Sequence, residues 1–317
     1  MYDNNPLTIL KNHNNPHIDI NSNPDPYAIF HNGMYYVYST GGHGVNVLQS
    51  KDLTNFEHMG YALSHANQKN YWAPCVLFHE GIFYMYYSAC AQGEADGNQE
   101  FMKVAVSNSP LGPFEYKKTL YDEFSIDPHV VIKNGEWWLF YAANRTVDGK
   151  TGTMVMLDKL VDPFTPANNP RVVVAPSIDQ EIYARSRFNP GEDWYTIEGG
   201  FYFEHEGTAF LMYSANAYTH GDYFVGYAVC DASEPLETAV FSKYPSDTTY
   251  QPLIGKDEWF TGCGHNSMIR GLNGELLIVY HGRPRAEDND PKPGDDRRLC
   301  ISEVKINGNE LTLARRK

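Results

Sequence analysis

The chain has 317 residues, a formal charge of −14 and an apolar fraction of 42%, with 16 Phe, 5 Trp and 23 Tyr. That apolar content excludes a disordered chain, and the acidic balance argues against nucleic acid or an anionic membrane surface as a partner, since either needs a basic face. The length fits one large β-domain or two smaller domains.

The first residues, Met1 to Pro6, lack the basic head and apolar run of a secretion signal, so a cytoplasmic location is expected. No run approaches about 18 consecutive apolar residues, which argues against a membrane-spanning helix. The five cysteines, Cys75, Cys90, Cys230, Cys263 and Cys300, are odd in number and form no CxxC pair. They read as small buried hydrophobes rather than as disulfides or zinc ligands.

In chain order, one pattern returns five times: DPYAIFHNGMYYVYS from Asp25, APCVLFHEGIFYMYYS from Ala73, DPHVVIKNGEWWLFYA from Asp127, EGGFYFEHEGTAFLMYS from Glu198 and HNSMIRGLNGELLIVYH from His265. A turn glycine follows the first residue by 8 positions in three copies (Gly33, Gly81, Gly135) and by 9 in two (Gly207, Gly274). A closing tyrosine follows that glycine by 6 positions in four copies (Tyr87, Tyr141, Tyr213, Tyr280) and by 5 in the first (Tyr38). Glycine between two β-rich runs supplies the positive φ of a tight turn, so each copy predicts a hairpin.

Less regular segments follow the hairpins at 45–60, 103–118 and 226–243, and they supply two further strands per unit. Repeats of this kind predict an all-β, five-bladed β-propeller, with residues 1–317 as a single domain. Two stacked β-sandwiches would not place the same turn at the same offset five times.

The innermost strand of each blade borders the axis, so the residues that open the repeats should meet at one end of the channel. They are Asp25, Ala73 after Trp72, Asp127, Glu198 and His265. Three carboxylates gathered there are costly unless their charges are used or neutralised. Asp-Pro is also a common turn dipeptide, and Asp162-Pro163, outside the repeat position, reads as structural only.

These residues resemble glycoside hydrolase family 43, and nearly all of the chain takes part. The motifs are Asn23-Pro24-Asp25-Pro26-Tyr27, Tyr71-Trp72-Ala73-Pro74, Ser125-Ile126-Asp127-Pro128, Thr196-Ile197-Glu198-Gly199, Gly262-Cys263-Gly264-His265 and Arg297-Arg298-Leu299-Cys300-Ile301. The resemblance is closest to the short α-L-arabinofuranosidases of that family.

The resemblance implies Asp25 as general base, Glu198 as general acid with a raised pKa, and Asp127 as the residue that orients Glu198 and helps raise that pKa. Substrate-binding roles are implied for Trp72, as a wall for the sugar, for His265, and for Arg297, with the register against Arg298 open by one residue. In many members a hydrated calcium ion lies near the axial histidine, so His265 is a metal candidate, through water. A lone histidine is more often a satisfied core residue, and both readings stay open. No cofactor is required for the chemistry.

Two departures from the family pattern stand out: Gly199-Gly200 after the acid, and Cys75 where an acidic residue is frequent. An insertion from Pro176 to Tyr195, carrying Arg185, Arg187 and Trp194, reads as a surface loop or as a border of the leaving-group side. Phosphate-loop, zinc-protease and nucleophile-elbow motifs are absent, and the acidic stretch from Glu287 to Asp296 lacks the ladder of an EF-hand loop. Asn144-Arg145-Thr146 is formally a glycosylation sequon, which carries no meaning without secretion.

The expected function is an inverting, exo-acting α-L-arabinofuranosidase on small arabino-oligosaccharides, with an intracellular β-xylosidase and an endo-arabinanase as rivals. A retaining β-fructosidase would be expected to carry Arg and Cys where Ile126 and Gly199 stand, and a non-catalytic sugar-binding propeller would not need three carboxylates. The sequence leaves open whether the chain forms a homo-oligomer.

Overall fold

The computed structural model describes residues 8–9, 22–285 and 297–314. The acidic stretch from Glu287 to Asp296 lies outside the described residues. Each copy of the repeat forms the two inner strands of a blade. The first blade is Tyr27–His31, Met34–Ser39, Val45–Ser50 and Phe56–Leu63, and the second is Gln68–His79, Ile82–Ala91, Phe101–Ser107 and Glu115–Thr119. The third runs Ile126–Lys133, Glu136–Val147 and Lys150–Asp162, edged by Thr165–Pro166 and Arg171–Val174. The fourth is Trp194–His205, Thr208–Ala215, Phe224–Asp231 and Ser242–Lys243.

The fifth blade, Phe260–Arg270, Leu276–Pro284 and Arg298–Asn307, is completed from both ends of the chain. Glu310–Leu313 and Thr8–Ile9 each pair with its third strand, the latter through Thr8↔Ile301 and Ile9↔Cys300. The five first strands touch one another in cyclic order, fifth against first included, which closes the propeller. Among the described residues no helix is long and apolar enough to cross a membrane.

Alternation along the strands explains the aromatic-rich runs. In the third blade Leu139, Tyr141 and Ala143 face the second blade, while Trp138 and Phe140 face the fourth. Both faces are buried, so the strand reads as a continuous apolar run instead of an alternating one. Five such clusters, one per junction, make up the core. Four of the five cysteines are buried and all are free, as the sequence suggests.

The hairpin turns behave as predicted. Asn32-Gly33, Glu80-Gly81, Asn134-Gly135 and Glu206-Gly207 all have positive φ at both residues, the type I′ geometry that matches strand twist.

The repeat register differs from the sequence reading at two points. In blades two to five the first strand bulges, so that two residues oppose one: Ala73-Pro74, Asp127-Pro128, Gly199-Gly200 and His265-Asn266 lie across from Tyr87, Tyr141, Tyr213 and Tyr280. The first bulge residue is left-handed each time, as is Asp25 in blade one (φ 54, 44, 59, 62 and 41° from Asp25 to His265). Glu198 therefore does not share the position of Asp25 and Asp127. It sits one residue earlier, level with Trp72, Ile126 and Gly264, and Gly199 holds the bulge. In blade one the residue in register with the closing tyrosines is Ser39, since Tyr38 pairs with Tyr27.

Parallel pairing, Thr151↔Trp194 to Thr153↔Thr196, joins the third and fourth blades into one ten-stranded sheet, a connection absent from the repeat pattern.

Candidate active site

The bulges carry their residues to one end of the axis. Asp25, Trp72, Asp127, Glu198, His265 and Arg297 all line a single cavity of about 510 Å³. Below it the axis is filled by side chains: His129 lies 4.1 Å from Phe201 and 5.9 Å from Tyr27, ring centre to ring centre. The cavity thus has a floor.

Left-handed backbone at a non-glycine residue is strained, and inter-blade hydrogen bonds hold it. Seven residues after each turn glycine stand Thr40, Ser88, Ala142, Ser214 and His281. Three of them accept the N–H of the next blade's bulge residue or its equivalent: Thr40 Oγ1 from Ala73 (2.8 Å), Ser214 Oγ from His265 (2.7 Å) and His281 Nδ1 from Asp25 (3.2 Å). Ser88 instead donates to the Ser125 carbonyl at 3.0 Å. Ala142 offers no polar atom, and at that junction Asp127 Oδ2 itself accepts the Gly199 N–H at 3.1 Å. The peptide after Glu198 is therefore fixed by Asp127, which is how one carboxylate orients the other.

Asp25 Oδ1 meets Arg297 Nη1 at 3.2 Å, and Oδ2 accepts from Thr40 Oγ1 at 2.6 Å. Of the two neighbouring arginines it is thus Arg297 that faces the carboxylate; its side chain is 8% exposed, and its guanidinium lies 5.1 Å over the Tyr218 ring. Burial alone would raise the Asp25 pKa, but Arg297, the two nearby histidines and Thr40 outweigh it and hold Asp25 well below the usual carboxylate range. Burial pushes His265 and His281 below the usual imidazole range, and the Asp25 charge opposes it only in part.

Glu198 is the opposite case. Burial and the Asp25 charge outweigh the Tyr223 hydrogen bond and Arg297, and lift it to about 7. Burial, then the charges of Glu198 and Asp25, raise Asp127 as well, so Asp127 and Glu198 titrate as a pair. The site therefore holds an ionised carboxylate beside carboxylates that keep a proton, the division of labour that acid–base chemistry needs.

His265 Nδ1 stands 3.5 Å from Asp25 Oδ1 and 3.8 Å from Asp127 Oδ2, between the two carboxylates. A Cβ on Gly199 would come within 3.2 Å of its ring, which accounts for glycine there, together with φ +62°. Among the described residues no three His, Cys, Asp or Glu side chains gather to hold a metal ion. Trp72 lines the wall beside Asn70 and the loop Thr40 to His43.

None of the residues from Pro176 to Tyr195 lines the cavity. That insertion is a folded surface hairpin in which the Arg187 guanidinium lies about 5 Å from each of the rings of Tyr183, Phe188 and Trp194, and Arg185 bridges Asp179 and Asp193. Beneath it Glu181 and Lys243 form a buried ion pair at 2.6 Å.

Sequence reasoning misses Thr40, Tyr223 and His281. Thr40 and His281 could be found from the constant seven-residue offset after the turn glycine. Tyr223 lies outside the repeat, where nothing in the pattern marks it.

The sequence model of glycosyl hydrolases family 43 matches residues 14–311. A curated relative, the extracellular exo-α-(1→5)-L-arabinofuranosidase of Streptomyces avermitilis, is 23% identical over 295 residues, covering 88% of this chain and 59% of that protein. The chain spans about half the length of the curated relatives it matches. A solved structure described as a thermostable family-43 glycoside hydrolase is 30% identical, with 92% of each chain covered and a TM-score of 0.77. Another, described as an endo-1,4-β-xylanase from Bacteroides thetaiotaomicron, is 26% identical, covering 94% of this chain and 97% of that one at a TM-score of 0.74.

Proposed function

Because the chain belongs to glycosyl hydrolases family 43, we propose that it hydrolyses a glycosidic bond with inversion, and that it releases L-arabinofuranose from short arabino-oligosaccharides. The observation that carries the hydrolytic reading is the split between two half-buried carboxyl groups of one cavity, Asp25 held ionised and Glu198 lifted to about 7.

In this reading Asp25 takes a proton from a water molecule as its oxygen attacks the anomeric carbon. Glu198 gives its proton to the departing glycosidic oxygen, so that the bond breaks to a neutral hydroxyl. Base and acid must stand about 6.5–9.5 Å apart for the water to fit beneath the sugar. Arg297 and Thr40 keep Asp25 charged and fix its two oxygens, while Asp127 holds the backbone that carries Glu198. Trp72 would provide the sugar wall.

The arabinose assignment is supported by the activity of the Streptomyces relative, an exo-α-(1→5)-L-arabinofuranosidase. The exo-acting one is supported by a floored cavity of about 510 Å³, within the range of small-molecule sites (about 300–1,000 Å³). The likeness to the protein described as an endo-1,4-β-xylanase favours a second reading, action on xylose-containing chains. A hydrated calcium near His265 would be held through water; removal by chelator, followed by unfolding temperature with and without added Ca²⁺, tests it.

The deciding experiment is hydrolysis of aryl α-L-arabinofuranoside against aryl β-D-xyloside, and of arabino-oligosaccharides against arabinan, with the anomer of the released sugar followed by NMR. Release of xylose alone refutes the arabinose reading, and a retained anomer refutes the mechanism.

A further inference from the structure

Tyr223 is 1% exposed, and its hydroxyl donates to Glu198 Oε1 at 2.7 Å. Its ring lies nearly parallel to His281, at 8° with centroids 5.9 Å apart. On another side it fills the space left by Gly264, where a Cβ would come within 1.9 Å of the ring. His281, on the second strand of the fifth blade, accepts the N–H of Asp25. Its Nδ1 is therefore unprotonated and the proton sits on Nε2, which is buried without a hydrogen-bond partner among the described residues. An unbroken series of contacts thus runs from Glu198 through Tyr223 and His281 to the backbone of Asp25, by way of two residues for which the acid–base scheme has no other use.

We infer that Tyr223 and His281 are positioning residues that act as one unit, Tyr223 selecting the oxygen of Glu198 that delivers the proton and His281 pinning the strained backbone of Asp25. The inference rests on the reading of Glu198 as acid and Asp25 as base. A tyrosine has one hydroxyl proton, and here it is spent on Oε1, which leaves the carboxyl proton on Oε2. The same bond favours the ionised form of Glu198, so its loss moves the acid's titration upward. The charged and titratable groups that act on Glu198 are Asp127, Asp25, Arg297 and Tyr223.

The test compares two aryl glycosides of the sugar the enzyme accepts, one with a poor phenol leaving group and one with 2,4-dinitrophenolate, which needs no proton to depart. Glu198→Gln must lose most of its kcat/KM on the poor leaving group and little on the good one; if it does not, the acid assignment itself fails. Given that result, Tyr223→Phe, which keeps the ring and its stacking, is expected to lose about 10-fold on the poor leaving group, with little change on the dinitrophenyl glycoside and an alkaline limb moved to higher pH. Equal losses on both substrates, or an unmoved limb, overturn the role of Tyr223.

His281→Leu is expected to lose about 10-fold on both substrates, because the water attack is shared by both, and His281→Asn, which keeps an acceptor, should recover part of it. If His281→Leu does not fold, His281→Asn alone decides: unchanged kcat/KM together with an effect of Tyr223→Phe that is the same in both backgrounds overturns the coupled unit.

Discussion

Replacing Arg297 with methionine removes the guanidinium that lies 3.2 Å from Asp25 Oδ1 while keeping most of the side-chain volume. At an effective dielectric of about 20, the attraction lost is about 5 kcal/mol in gross terms. The net effect is smaller because Thr40 still donates to Oδ2, and an adjacent cation ordinarily depresses a carboxylate by about 1–3 pH units. With burial then opposed only by His265, His281 and Thr40, Asp25 moves up toward the ordinary carboxylate range. A base works only when ionised, so activity that the native enzyme keeps in acid is lost by the variant as pH falls through that raised value. Arg297 also lowers Glu198, so the alkaline limb moves up as well. The assay is kcat/KM for an aryl glycoside between pH 3 and 9, with Arg297→Lys as the control that keeps the charge. An acidic limb in Arg297→Met unchanged from the native profile, or equal shifts in Arg297→Lys and Arg297→Met, refutes the electrostatic account of Asp25.

Native kcat/KM should fall as pH rises through about 7, the value to which Glu198 is lifted, and Asp127→Ala, which removes the acceptor of the Gly199 N–H, should cut the rate about 10-fold or more. Gly264→Ala drives a methyl into the Tyr223 ring; overpacking of this kind costs about 1–3 kcal/mol, read as a lower unfolding temperature, and activity should fall with it. Glu181→Gln strands the buried Lys243 ammonium and should destabilise the fold by about 3 kcal/mol in denaturant titration. At 25 °C the same variant should retain near-native kcat, because that insertion does not line the cavity.

The five hairpins were legible because turn glycines and two-sided burial leave marks at fixed spacing, and the convergence of Asp25, Trp72, Asp127, Glu198, His265 and Arg297 follows from blade geometry. The one-residue offset of Glu198 was not legible. A bulge adds a residue without changing the local composition, and Gly199 followed by Gly200 gives no sign of which one carries it. The completion of the fifth blade by Thr8–Ile9 escapes a local pattern because a two-residue strand has no periodicity. Tyr223 is one of 23 tyrosines, and only the space left by Gly264 singles it out.

The parallel seam between blades three and four has a mechanical consequence. Asp127 and Glu198 ride on one continuous sheet, so the proposed proton donor and the carboxylate that holds its backbone share one hydrogen-bonded ladder. Asp25 belongs to a separate sheet and is tied to the fifth blade through Arg297 and His281. In the proposed mechanism the gap between Asp25 and Glu198 is therefore spanned across separate sheets, whereas Asp127 and Glu198 share one. That gap is the dimension on which the proposed inverting hydrolysis depends, and Arg297 and His281 at the junction of the fifth and first blades help to set it.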